Sequence, residues 1–183
     1  MLSRMTAALL VSATLAFAVP AQAIEVGKPA PDCSLNALGS SPAGHTAAHR
    51  GKVMYVDFWA SWCVPCAKSF PFLNKLDADL RDKGLQIVGV NVDEQSADAE
   101  AFLKKRPANF AVGNDAQGDC PKAFGVVAMP SAYVVDRQGI VRAVHYGFRE
   151  SDQEDLRRTV EKLLSEPVHP AEQTAAATTS KVQ

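Results

Sequence analysis

The sequence predicts an α/β fold, a mixed central sheet with helices on both faces, and three observations carry that prediction. Nearly continuous apolar runs rich in β-branched and aromatic residues, VMYVDFWA over 53–60 and LQIVGVNV over 85–92, read as strands covered on both sides. Each is followed by a segment whose apolar residues recur at three and four, so strand and helix alternate along the chain. A pair of short runs around Arg137-Gln138-Gly139 closes the pattern as a hairpin. Crossover units require parallel pairing and the hairpin adds antiparallel strands at one side, which makes the sheet mixed.

Composition narrows the function classes. The chain has 183 residues, 19 Lys and Arg against 20 Asp and Glu, and a formal charge of −1. No basic block is present, so the electrostatic footprint of a nucleic-acid binder is missing. Length argues for one folded domain. Residues 1–23 carry Arg4, an apolar stretch from Thr6 to Val19 and a closing Ala21-Gln22-Ala23, the pattern of a secretory signal cleaved before Ile24. The stretch is shorter than the roughly 20 residues a membrane span needs. Residues 24–166 form the expected domain, and 167–183, with two prolines and repeated Ala and Thr, read as a disordered tail. Export places the four cysteines where disulfides persist.

Element by element, Cys33 to Arg50 contains Gly39, Pro42 and Gly44 and reads as an irregular lead-in or a small extra hairpin. The 53–60 strand leads into a helix from Cys63, with Phe70, Leu73, Leu76 and Leu80 on one face and Gly84 as its stop. Pro71 falls inside this helix and removes the donor for the Ala67 carbonyl, which predicts a kink there. The second strand precedes a helix over 96–105 with Ala99, Phe102 and Leu103 inward, then a short strand over 110–113. The hairpin pairs 131–136 with 140–146. Ser151 and Glu154 have capping-box spacing ahead of a last helix carrying Leu156, Val160, Leu163 and Leu164.

The strongest chemical signal is Trp62-Cys63-Val64-Pro65-Cys66 at a strand-to-helix junction. A helix start offers unpaired N–H groups and the positive end of the dipole, which favours a thiolate at Cys63 and makes it the attacking sulfur. Cys66, one turn on, points into the protein and serves as the resolving thiol. Pro65 fits the first turn without losing a backbone bond. A zinc site needs further ligands, and only His45 and His49, four apart and ahead of the strand, are on offer. No metal and no cofactor is expected. A Cu(I)-binding module using the same dithiol is the non-enzymatic alternative, since soft thiolates suit Cu(I). A peroxidase of the peroxiredoxin type lacks its P-x-x-x-T-x-x-C pattern here. Asp57 interrupts an apolar strand, so its carboxylate either faces solvent at an edge or is held protonated inside. In the second case it is a candidate to exchange the proton of Cys66 through a water. Pro130 opens a strand, a place open to a cis proline or an edge residue. Cys33 and Cys120 lie outside the motif, where a structural bridge and two small buried apolar residues are equally open readings.

Together DFWASWCVPC (57–66), Pro71 and Met129-Pro130 resemble the thioredoxin superfamily. With the lead-in GKPAPDCSLNALG, the helical insert after NVDE and the VVDRQG hairpin, the chain is similar to its exported TlpA/ResA/CcmG-type branch. The resemblance implies a thioredoxin-like fold and a periplasmic thiol-disulfide oxidoreductase. It also implies a cis Pro130 facing the dithiol, with Met129 and Trp62 at the substrate and Met129 pairing with a substrate strand by edge addition. Asp57 falls where thioredoxins carry their buried acid, and Glu94 at a position given to an active-site glutamate in the ResA-like branch. The implied partners are exported proteins with disulfides or CxxC motifs, of the cytochrome c maturation or copper-site assembly type, and a membrane electron donor. An oxidant or isomerase of disulfides is the alternative within this branch. Two departures are Val64-Pro65 in place of Gly-Pro, and Cys33 where the branch usually has an aromatic residue.

Overall fold

In the computed structural model, which describes residues 24–167, the elements follow the predicted alternation, with one helix over 119–124 that the sequence did not predict. They are β1 (Ser34–Ala37), β2 (Gly44–His45), β3 (Val53–Trp59), α1 (Val64–Leu80), β4 (Leu85–Asn91), α2 (Ser96–Lys105), β5 (Ala111–Asn114), α3 (Asp119–Phe124), β6 (Ser131–Val135), β7 (Val141–Tyr146) and α4 (Gln153–Ser165). The expected signal segment, and the expected tail beyond Pro167, lie outside the described residues. Among those described, no helix is long and apolar enough to cross a membrane.

The seven strands order as β2-β1-β5-β4-β3-β6-β7. β3 pairs with β4 in parallel and β4 with β5 in parallel, while β6 and β7 run antiparallel on the other side of β3. The lead-in is a hairpin, and its β1 joins β5, so it extends the sheet. The approach is close because residue 113 is glycine: a Cβ there would stand 2.7 Å from the Leu35 Cβ.

Every residue of β3 is buried, because its two faces serve two cores. Val53, Tyr55 and Trp59 point to one cluster, with Phe70, Leu73, Leu76 and Leu80 of α1, Phe102 of α2 and Val160 of α4. Met54, Val56 and Phe58 point to the other, with Phe124 of α3, Tyr133 and Val141. This is the two-sided pattern that the unbroken apolar run encoded. The aromatics interlock at an edge on both sides, Trp59 with Phe70 at 5.1 Å and Phe58 with Phe124 at 5.2 Å between ring centroids. Each such pair contributes about 0.5–1.5 kcal/mol beyond its buried area.

Two local expectations are adjusted. Pro71 lies inside α1, as expected, and α1 extends to Leu80. The short strand begins at Ala111, one residue late. At the last helix Ser151 is not the cap: it lies in a 3-10 turn, Glu150–Asp152, and Asp152 Oδ2 accepts the Arg149 N–H at 2.9 Å. The Asp152 carboxylate also stands 3.2 Å from His145 Nε2, and a carboxylate is the stronger acceptor. The other end of α4 is satisfied from the hairpin turn, where Arg137 donates to the Leu163, Leu164 and Glu166 carbonyls at 3.0 to 3.2 Å. A cation on the last carbonyls of a helix meets both their unpaired acceptors and the dipole.

Cys33 and Cys120 form a disulfide with a Cα separation of 5.4 Å, which tethers the lead-in to α3 across the second core. The bridge closes a loop of 87 residues. In the chain-entropy model such a loop is worth about 4.6 kcal/mol. Replacing both cysteines with Ala is expected to lower the unfolding free energy by a few kcal/mol, up to that figure, in urea titrations. A loss below about 1 kcal/mol would count against the tether.

Candidate active site at the end of the central strand

The site stands where β3 leaves the sheet. Trp59 ends the strand, and the Cys63 N–H returns to the Ala60 carbonyl at 3.1 Å, closing a tight turn before α1. Cys63 is the N-cap of α1, with extended backbone angles, and its sulfur accepts the Cys66 N–H at 3.2 Å. A sulfur thus fills the place in which Ser or Asp usually accepts an orphan N–H. Pro65 occupies the first turn, where a missing N–H costs nothing. The two sulfurs are bonded, with the Cα atoms 5.2 Å apart. Cys63 retains 4% exposure and Cys66 none, so an incoming group meets Cys63 first. Trp62 and Val64 flank it and are 67% and 68% exposed.

Asp57 resolves to the interior. It lies at the centre of β3 between Gly89 of β4 and Ala132 of β6, and is 2% exposed. Alternation places it on the face of Tyr55 and Trp59, the side covered by α1 and Cys66. Its Oδ2 has no hydrogen-bond partner among the described residues. Burial disfavours the charged form and lifts its carboxyl to about 8.

The Met129-Pro130 peptide is cis. Met129 is partly buried against the cluster containing both site cysteines, and Val127, two residues before it, is 78% exposed. Glu94 is exposed in the turn between β4 and α2. The buried carboxylate at this end of the sheet is its neighbour Asp93, which the reading of the sequence passed over. Asp93 accepts hydrogen bonds from Ser61 N and Ser61 Oγ, at 2.9 and 3.0 Å, two residues ahead of Cys63. The available signal was the spacing Asn91-Val92-Asp93: polar residues two apart at the carboxyl end of a parallel strand, facing one way, where α/β sheets build their sites. His45 Nδ1 stands 3.6 Å from Asp32 Oδ2, and among the described residues no three His, Cys, Asp or Glu side chains are grouped to hold a metal.

Comparison with known proteins agrees with this geometry. The Redoxin family model matches residues 25–163. Thiol-disulfide oxidoreductase ResA of Geobacillus thermodenitrificans is 30% identical over 141 residues, covering 77% of this chain and 79% of that protein. The ResA of Bacillus thuringiensis subsp. konkukian is 29% identical over 140 residues, covering 76% and 79%. A crystal structure from Chlorobium tepidum, assigned as thiol:disulfide interchange protein DsbE, is 40% identical with a TM-score of 0.75, covering 78% of this chain and all of that one. An N-cap cysteine bonded to the cysteine one turn on, at the end of a doubly covered strand, therefore belongs to a chain of the Redoxin family, a thiol-disulfide oxidoreductase of the ResA/DsbE type with a thioredoxin-like fold.

Proposed function

We propose that this oxidoreductase works in the periplasm as a reductant of disulfides in exported proteins, with Cys63 as nucleophile and Cys66 as resolving thiol. The observation that carries the assignment is the sulfur of Cys63 as N-cap of α1, accepting the Cys66 N–H at 3.2 Å. The same donors and dipole that hold this sulfur favour a thiolate there once the disulfide is reduced.

In the reduced enzyme the Cys63 thiolate attacks one sulfur of a substrate disulfide. The substrate S–S bond breaks, a mixed disulfide forms, and the other substrate sulfur leaves as a thiolate. Cys66 then gives up its proton and attacks the Cys63 sulfur, releasing the second substrate thiol and leaving the Cys63–Cys66 disulfide. Two electrons have passed to the substrate. Asp57 lies on the buried side toward Cys66, and a carboxyl lifted to about 8 can exchange a proton with a thiol near neutral pH, through a water. Exposed Trp62, with Met129 and Pro130, supplies the face for the substrate strand. A membrane electron donor returns the enzyme to the dithiol. The resemblance supports apocytochrome c or copper-site cysteines as substrates.

Two outcomes test the roles. Cys66→Ser is expected to accumulate mixed disulfides with exported proteins in non-reducing gels, and Cys63→Ser is not; equal trapping by both would sink the assignment. Asp57 makes a pH prediction. Its folded carboxyl keeps the proton to about pH 8, whereas in the unfolded chain it ionises near 3.8. Between those values the folded state binds more protons, so this residue makes stability fall as pH rises. Asp57→Asn is therefore expected to gain on the wild type from pH 4 to 8, by at most about 1.4 kcal/mol per pH unit, in urea titrations. Its resolving step should also lose an ionisation near pH 8. Parallel stability curves would show that Asp57 is not buried as a neutral acid.

A further inference from the structure

We propose that Asp93 is a positioning residue for the dithiol, which holds the turn bearing Cys63 through Ser61 and thereby favours the Cys63–Cys66 disulfide over the dithiol. The inference rests on the thiol-disulfide reading of the site.

Asp93 is 4% exposed, just beyond β4. Its Oδ2 accepts the Ser61 N–H at 2.9 Å and the Asn91 Nδ2 at 2.8 Å, and its Oδ1 accepts the Ser61 hydroxyl at 3.0 Å. The carboxylate is fixed in turn from below. Asn91 Oδ1 accepts from Asp93 N at 3.1 Å and from Asn114 Nδ2 at 2.8 Å, and Asn114 Nδ2 also donates to the Asp93 carbonyl at 3.0 Å. Asn91 and Asn114, the last residues of β4 and β5, pair with each other in the sheet and are nearly fully buried. The ends of two parallel strands thus form a rigid polar seat, and the turn that delivers Cys63 is clamped to it by two bonds onto one residue.

Two effects of this clamp act in one direction. Holding Ser61 restricts the segment that carries Cys63, which raises the effective concentration of its sulfur against Cys66 and assists ring closure. A carboxylate beside that turn also opposes a negative charge on Cys63, which the reduced form carries and the disulfide does not. A residue that only stabilised the fold would act equally on both redox states. Asp93 acts more on the oxidised one, and by linkage the difference appears in the redox equilibrium itself.

The test equilibrates the purified protein with glutathione buffers. Dithiol and oxidised glutathione give the protein disulfide and two molecules of reduced glutathione, and the oxidised fraction is read after acid quench and alkylation. Asp93→Ala is expected to lower the equilibrium constant about tenfold, which for two electrons raises the potential by about 30 mV. Ser61→Ala removes the hydroxyl contact, keeps the N–H contact, and should lower it by about threefold, consistent with one lost hydrogen bond. Asp93→Asn keeps an oxygen for Ser61 without the charge and should fall between wild type and Asp93→Ala. Urea midpoints should drop further for the oxidised variants than for the reduced ones. Constants within twofold of wild type in Asp93→Ala, with equal loss of stability in both redox states, would overturn the proposal. Where Asp93→Ala does not fold, unchanged constants in both Ser61→Ala and Asp93→Asn would overturn it equally. A wild-type protein that equilibrates with glutathione but reduces no protein disulfide would instead overturn the reading under Proposed function.

Discussion

A sulfur stands where a helix cap stands, and most of the architecture serves to put it there. Cys63 closes the turn after β3, accepts the Cys66 N–H and bonds to the Cys66 sulfur, so the start of α1 and the redox pair are one object. That arrangement needs β3 to end at a fixed height and α1 to start at a fixed angle. The height comes from a strand hydrogen-bonded on both edges and packed on both faces. The angle comes from α1 lying along the first core, with Phe70 and Leu73 buried under it against Trp59 and its neighbours. A chemical group placed at a helix start gains donors and dipole without any added cation.

The same doubly covered strand explains the cost at Asp57. A partnerless oxygen in the core is unfavourable by about 1–3 kcal/mol, and an ionised one by far more. The carboxyl responds by holding its proton to about pH 8. A structural role would be served better by an apolar residue that fills the same volume. Groups whose pKa is displaced this far cluster at functional sites, which supports the proton-exchange role proposed for Asp57.

The two disulfides differ in kind. Cys63–Cys66 closes a ring one helical turn long and constrains the unfolded chain little, so its formation is governed by local geometry and charge. Cys33–Cys120 spans 87 residues inside the second core and acts on the unfolded chain. A polar seam runs between them: Cys120 N donates to Asp115 Oδ2 at 2.6 Å, and Asp115 N donates to the Asn91 carbonyl at 2.8 Å. Asn91 belongs to the seat that holds Asp93 and Ser61. Buried polar groups that are all paired in this way specify a single arrangement, which a purely apolar core would leave looser.

The order of the long elements was legible along the chain, because each carries its own periodicity over seven residues or more, whereas α3, six residues long, was not. Cys63 and Cys66 were legible for the same reason: their spacing and their place at a strand-to-helix junction are both local. The lead-in was legible only as two alternatives, an irregular stretch or a small hairpin, since β1 and β2 are four and two residues long, and what fixes the hairpin in the sheet is the pairing of Asn36 and Ala37 with Asn114 and Gly113. The start of α4 passed from Ser151 to Asp152 because a 3-10 turn, Glu150–Asp152, precedes the helix, and in it the Asp152 carboxylate accepts the Arg149 N–H. Asp57 was ambiguous between edge and interior until β6 took the open side of β3. Asp93 was passed over, and only the fold brings it to Ser61, 32 residues away. Sequence by itself therefore determined the alternating architecture, the dithiol and its orientation on α1, because periodicity and helix-start chemistry act over a few residues. Tertiary structure decided which carboxylates are buried, which thiols meet across 87 residues and what grips the active turn. Those outcomes depend on strand pairing between segments whose separation along the chain carries no local signal.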